Sequence, residues 1–297
     1  MGDLMKRTLG LLLLAALLTA CGGPETPPAD DAAAASAAPE TSAAPEASYE
    51  FSGSSASFAD DKPTVLITGA NRGIGLEFVR QFSEKGYNVI ATARKPEKAE
   101  ALNALAAENT GIVVEALDVT DYGRVEAMAK AYADQPIDIL LSNAAITPRY
   151  KTAFQRVKGI DFDMAKQSFE VNALAPLKIA QAFMPNVEAS DGKKIIVLSS
   201  KAGSFAEGPQ MPMMYSYRGS KAALNMFMYT LAFETKKKGI TTVMLSPGTV
   251  NTTEGMKMPN AIEPPDSVAM MIKVMDGLTP ENNGQFLNYE EGRIVGW

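Results

Sequence analysis

The stretch Thr64-Val-Leu-Ile-Thr68-Gly69-Ala-Asn71-Arg72-Gly73-Ile74-Gly75, followed by the helical pattern Leu76–Glu84, decides the fold. A short β-branched run enters a glycine-rich turn that opens at once into a helix. That order aims backbone N–H groups and a helix N-terminus at one point, where a pyrophosphate is well held. Gly69 permits the tight turn, Gly73 a close backbone approach, and Gly75 close packing of helix and strand. A second apolar run, Tyr87–Thr92, follows within thirty residues, as a dinucleotide-binding βαβ unit requires.

Working outward, the alternation continues. Ile112–Leu117, Ile137–Ser142, Lys193–Ser199, Ile240–Ser246 and Gln285–Asn288 read as strands. Amphipathic stretches over 96–108, 121–133, about 163–188, 217–237 and 265–277 separate them. Alternating strands and helices predict an α/β fold, a Rossmann-like doubly wound parallel sheet in a single domain over residues 62–297, with order beginning at Pro63.

Composition narrows the chemistry. The 297 residues contain no histidine and one cysteine. Ser-His-Asp and Cys-His catalysis, His-ligated zinc, cysteine-rich metal sites and disulfide frameworks are therefore excluded. Acid–base work falls to Tyr, Lys or carboxylates. The net charge of -6 is unevenly placed: residues 22–60 hold seven acids and no base, and residues 61–297 balance 26 acids with 26 bases. A neutral body without a basic run offers no footprint for nucleic acid.

The first sixty residues read as an address and a tether. Lys6 and Arg7 precede the apolar run Leu9–Leu18, which is short for a bilayer span and has the layout of a secretory signal peptide. Leu18-Thr19-Ala20-Cys21 resembles the lipobox of bacterial lipoproteins, so residues 1–21 are expected to be a lipoprotein signal peptide with Cys21 lipidated. That resemblance implies a lipid-anchored protein of the bacterial cell envelope. Residues 22–61 are rich in Ala, Pro and Ser and read as a disordered linker.

Further motifs carry a second resemblance. The spacing Thr68-Gly-x-x-x-Gly-x-Gly75 is followed in order by Leu117-Asp118-Val119, Asn143-Ala144-Ala145, Asn172, Ser199-Ser200, Tyr217-Arg-Gly-Ser-Lys221 and Pro247-Gly248. From residue 63 to 297 the chain resembles the short-chain dehydrogenase/reductases, and within them most the C-factor and sniffer-type carbonyl reductases. The resemblance implies that Asn172, Ser200, Tyr217 and Lys221 carry hydride-transfer chemistry between a carbonyl and an alcohol. It also implies that Gly69, Asn71, Arg72, Gly73, Ile74, Gly75, Thr92, Arg94, Asp118, Val119, Asn143, Ala144, Pro247, Gly248, Val250 and Thr252 surround a nicotinamide dinucleotide, together with Tyr217 and Lys221. Ala145 stands where the family has glycine.

The chemistry is legible in the residues themselves. Tyr217 is the candidate acid, but an unperturbed phenol near pKa 10 is weak at neutral pH. Lys221 lies four residues on, the same helix face, and a cation there is expected to lower that pKa. Ser200 would hydrogen-bond the carbonyl oxygen, with Ser199 the alternative. Asn172, by resemblance, holds a water that returns protons through Lys221. Met211, Met213 and Met214 read either as one wall of a substrate pocket or as flexible core filling.

Cofactor choice follows charge. No acid stands at the end of the second strand, where an NAD site needs one, and Arg94 and Arg72 supply cations instead. NADP(H) is expected, unless both arginines are ordinary surface cations. The loop Asn251–Pro265 reads as a substrate lid. Nothing in the sequence fixes the substrate, and the family's habit implies a homo-oligomer. The alternative function is an exported, non-catalytic signalling or binding protein that keeps the fold.

Overall fold

A computed structural model describes residues 50–53, 58–59, 61–148, 150–252, 258 and 260–297. The signal segment, Cys21, most of the linker and the centre of the loop after Asn251 lie outside the described residues.

Seven strands form one parallel sheet: β1 (Thr64–Ile67), β2 (Asn88–Ala93), β3 (Ile112–Ala116), β4 (Ile139–Ser142), β5 (Lys194–Leu198), β6 (Thr241–Ser246) and β7 (Phe286–Asn288), in the spatial order 3-2-1-4-5-6-7. Register pairs Val65 with Val89 on one side and Ile139 on the other. The central strands are buried on both faces, so their apolar runs need no polar alternation. All seven strands stand where the sequence places them, shifted by one or two residues.

Alternate side chains divide the core into two layers. Val65, Ile67, Ile139 and Leu141 face Phe78, Val79 and Phe82 of α1 (Gly73–Glu84), Leu102 of α2 (Glu100–Glu108) and Val268, Met271 and Met275 of a C-terminal helix, Pro264–Asp276. Leu66, Ile90 and Leu140 face the opposite layer. It comprises Val125 and Met128 of α3 (Tyr122–Ala131), with Ile179 and Phe183 of one long helix and Leu224 and Met228 of another. The chain crosses from β1 toward β3, then returns to place β4 beside β1. That reversal opens a crevice beyond the carboxyl ends of β1 and β4.

Two features depart from the periodicity. The helix expected over about 163–188 is divided into α5 (Phe162–Phe169), a π-helical turn over Glu170–Leu174 and α6 (Ala175–Ala189), after a short α4 (Tyr150–Ala153). The next helix, α7 (Tyr215–Lys236), begins two residues before Tyr217, and Pro264–Asp276 is α8.

The body also extends N-terminally of Pro63, where the composition places its start. Ser52 N donates to Glu115 Oε1 at 2.8 Å, and the Arg124 guanidinium lies 4.7 Å from the Phe51 ring centre. Asn88 exchanges hydrogen bonds with both backbone groups of Ala59. Phe51 and Phe58 pack on the second core layer. The sequence marks Tyr49, Phe51 and Phe58 as rings able to dock locally on the body, and Phe51 and Phe58 do so on partners far away in sequence.

Candidate active site

The glycine turn is fixed from β4. Thr68 Oγ1 accepts from the backbone N–H groups of Asn143 and Ala144, at 3.0 and 3.1 Å. The Asn143 side-chain amide donates to the carbonyls of Thr68 and Gly69, both at 2.9 Å. Gly69 has φ +66°, and a Cβ there would lie 2.8 Å from Ala144 Cα. A Cβ on Gly75 would lie 2.2 Å from the Gly69 carbonyl oxygen and 2.5 Å from Asn143 Nδ2. Gly75 therefore makes room for the turn's own backbone rather than for strand packing. Helix α1 starts with no side-chain cap and no acid in its first turn, so its leading N–H groups stay free for an anion.

Around this cradle the expected contacts sort themselves. Asn71 and Arg72 are exposed beside the turn, and Ile74 is partly buried against the core. Arg94, exposed at the end of β2, lines a cavity of about 300 Å³ with Asp118, Thr120, Lys166, Gln167 and Glu170. Asp118 is held by Thr120, whose N–H and hydroxyl both donate to Oδ1. Val119 is buried in the core layer beneath. Neither Arg72 nor Arg94 has an ion-pair partner among the described residues.

Thr92 is fully buried in β2, paired in register with Glu115, and its hydroxyl has no hydrogen-bond partner among the described residues. Its carbonyl accepts from Ala70 N of the glycine turn at 2.8 Å. Lys166, Gln167 and Glu170 enter from elsewhere: α5 brings them to the cavity, and no local motif marks them.

The chemically active set lies at the ends of β4 and β5. Ser200 follows β5 in extended backbone and caps the turn Lys201–Gly203, its Oγ accepting from Ala202 N at 3.1 Å. Its side chain is near enough to the Tyr217 phenol to pull that group's pKa down. Ser199 points the other way and donates to the buried Asn225 Oδ1 at 2.5 Å. Ser200 rather than Ser199 therefore meets Tyr217.

Lys221 is buried. Its Nζ donates to the Leu198 carbonyl at 2.7 Å and lies 5.9 Å from the Tyr217 ring centre. Burial lowers its pKa to about 7. Burial also raises the Tyr217 phenol above its ordinary value, and the neighbouring Ser200 side chain only partly offsets this. Desolvation dominates both groups, and an ammonium titrating near neutrality is a weak source of positive potential.

Asn172 sits in the π turn, completely buried. Its Oδ1 accepts from Ile146 N at 2.7 Å, and its Nδ2 donates to Ile146 O at 2.9 Å and Ser220 Oγ at 3.0 Å. Ser220 Oγ in turn donates to the Tyr217 carbonyl at 2.8 Å. Asn172 thereby ties the loop after β4 to the first turns of α7. The π turn is what aims its side chain there, a use such turns often have.

Beyond β6, Pro247 accepts from Ser267 Oγ, and Gly248 has φ +80° with the Tyr289 ring where a Cβ would be. Val250 pairs with Ile262 and closes the base of the loop. The Thr252 side chain comes within 3.4 Å of where a Cβ on Gly73 would lie, so this loop reaches the glycine turn. Of the methionines, Met211 is exposed and Met213 and Met214 are partly buried; Met214 caps α7 at φ +51°.

The C-terminus latches the segment after Ser200. Ser204 Oγ donates to the Gly296 carbonyl, Ala206 N donates to that of Trp297, and Arg293 pairs with Glu207 through two hydrogen bonds. The guanidinium, with the Gly296 N–H, holds the Glu207 carboxyl down at about 2.

The same fold and arrangement occur in proteins of known class. The family model for short chain dehydrogenases matches residues 63–262. The NADPH-bound carbonyl reductase from chicken fatty liver is 32% identical, with a TM-score of 0.73, covering 80% of this chain and 99% of that one. The carbonyl reductase Sniffer of Drosophila melanogaster is 27% identical, with the same TM-score, covering 80% of this chain and all of that one. The C-signal protein of Myxococcus xanthus is 34% identical over 174 residues, 58% of this chain and the whole of its own length. A doubly wound sheet, a glycine cradle at its switch point and the ordered Ser-Tyr-Lys set agree with these matches: the chain belongs to the short chain dehydrogenase family of oxidoreductases.

Proposed function

We propose that this protein interconverts a small-molecule carbonyl and its alcohol with NADP(H). The observation that carries the proposal is the clustering of Ser200, Tyr217 and buried Lys221 where β5 meets α7, beside the glycine cradle. The cradle fits a dinucleotide: Gly69, Gly73 and Gly75 carry no side chain of their own, α1 presents uncapped N–H groups, and the Asp118–Arg94 cavity offers polar walls. Arg72 and Arg94, two exposed guanidinium groups, suit a 2′-phosphate better than a free 2′-hydroxyl. The NADPH-bound neighbour supports the same choice.

The dinucleotide, when bound, supplies the hydride for reduction and accepts it for oxidation. Tyr217 holds the proton that the reduced carbonyl oxygen requires, and its raised pKa keeps that proton in place at neutral pH. Ser200, on the same side, donates a hydrogen bond to oxygen as negative charge develops. Lys221 supplies a half-charged ammonium beside the phenol, and Asn172 fixes the loop and helix that hold these groups apart at the right distance.

NADPH consumption with a panel of aldehydes and ketones tests this reading. Turnover by the wild type and none by Tyr217→Phe supports it. Equal turnover by both overturns it, and the non-catalytic signalling reading then leads.

The N-terminal segment carries a separate address, a lipid anchor at Cys21 in the bacterial cell envelope, supported by the Leu18-Thr-Ala-Cys21 pattern. Labelled palmitate should enter the wild type and not Cys21→Ser. An unlabelled wild type rejects the anchor.

A further inference from the structure

We propose that Arg218 is a positioning residue of this reaction, fastening the turn that carries Ser200 and the methionine lip beyond it to the helix that carries Tyr217. The inference rests on the reading of Ser200 and Tyr217 given above.

Arg218 follows Tyr217 in α7, and its side chain reaches both ends of the segment between β5 and that helix. Nε donates to the Ala202 carbonyl at 3.1 Å, and Nη1 donates to the Met211 carbonyl at 3.2 Å. Ala202 belongs to the turn that Ser200 caps: Ala202 N donates to Ser200 Oγ at 3.1 Å, and Gly203 N to the Ser200 carbonyl at 2.9 Å. The bonds therefore join Ser200, through Ala202 and Arg218, to the helix one residue from Tyr217.

The turn also rests directly on that helix. A Cβ on Gly203 would stand 2.8 Å from the Lys221 carbonyl carbon and 2.9 Å from Ala222 N. Contact at Gly203 fixes how near the turn lies, but a contact of this kind resists only compression. Arg218 supplies the opposing tie, which keeps the turn from lifting or sliding. The planar guanidinium reaches two carbonyls at once from fixed directions; an ammonium on a flexible stem cannot reproduce that fork.

The outer half of the same segment is latched separately, by Glu207 on Arg293 and Ser204 on the C-terminal backbone. Arg218 is thus the tie that runs from this turn to the first turn of the catalytic helix, beside those of Ser199 to Asn225 and Lys221 to the Leu198 carbonyl. The placement of Ser200 relative to Tyr217 depends in part on it. The same side chain, by holding Met211, also sets the width of the lip beside them.

The test is a double-mutant cycle in the full chain, with Arg218→Met and Ser200→Ala singly and together. Arg218→Met should lower kcat about tenfold to a hundredfold, the scale of a small misplacement of reacting groups. NADPH affinity by fluorescence titration should stay within about threefold, because cofactor contacts lie elsewhere. In the Ser200→Ala background the same substitution should cost little more, since the group it positions is gone. Arg218→Lys should recover part of the loss, and it also serves if the methionine variant fails to fold.

An unchanged kcat in Arg218→Met and Arg218→Lys overturns the proposal. So does an equal loss with and without Ser200, which would mean that Arg218 acts on something other than the serine. If Ser200→Ala and Tyr217→Phe are themselves silent, the functional reading falls first and this inference falls with it.

Discussion

Lys221 directs its ammonium to the Leu198 carbonyl at 2.7 Å, leaving it 5.9 Å from the centre of the Tyr217 ring rather than on the phenol oxygen. Both side chains are desolvated, and each is pushed toward its neutral form: the lysine down to about 7, the tyrosine upward. A pair that looks in sequence like a cation activating a phenol also carries the opposing cost of burial, which favours the neutral form of each group. The pH behaviour follows from that relationship.

Reduction needs the protonated phenol, and oxidation needs the phenolate. With the Tyr217 pKa raised, carbonyl reduction should hold through neutral pH and fall only under alkaline conditions, while alcohol oxidation climbs with pH. Initial rates in both directions from pH 6 to 10 check this. An oxidation optimum at or below pH 7 would contradict it.

Lys221 also links stability to pH. Its folded pKa of about 7 lies below the ordinary lysine value of 10.5, so between these values the unfolded chain binds a proton that the folded one does not. Stability contributed by this site therefore rises from pH 7 toward 10.5 and is flat below 7. In Lys221→Met that slope disappears. The variant's stability relative to wild type should decline by a few kcal/mol (order of magnitude) across that window, read from urea midpoints at pH 6.5, 8 and 9.5.

Arg94→Ala should weaken NADPH binding about tenfold to a hundredfold, the worth of one charge-assisted hydrogen bond. NADH binding should change by less than about threefold, since no 2′-phosphate is present to lose a partner. Parallel fluorescence titrations make the comparison. Equal losses for both dinucleotides would remove the arginine from the specificity argument.

Two glycines should respond oppositely to alanine. Gly75→Ala drives a methyl into the Gly69 carbonyl, and should cost about 1–3 kcal/mol and most of the dinucleotide affinity. Gly219, inside α7 with open space where a Cβ would go, should gain about 0.5–1 kcal/mol as alanine. Thermal melts with and without NADPH distinguish the two.

A chain beginning at residue 62 should melt about 5–10 °C below one beginning at residue 48, from about 2–4 kcal/mol of lost packing and hydrogen bonding. It lacks Phe51 against Arg124, Phe58 on the core, and the Ser52 N–H that Glu115 accepts. Coincident melting curves would show the arm to be unimportant.

What the sequence by itself determined is what local pattern and order can encode. Seven apolar runs separated by amphipathic stretches dictate a parallel doubly wound sheet, because strands buried on both faces need no polar alternation and the intervening helices supply the cover. The glycine turn, the serine after β5 and the Tyr217–Lys221 spacing were legible because each is a short-range requirement of backbone geometry or helix period. The tertiary structure alone decided the rest, since burial and long-range pairing leave no local mark. It buried Thr92 and brought Lys166 and Glu170 to the cofactor side. It joined Arg293 to Glu207 across 86 residues and docked Phe51 on a body that composition starts at Pro63. It also set burial against the cation beside the Tyr217 phenol, because the cost of removing charge from water depends on what surrounds a group, and the surroundings exist only once the chain has folded.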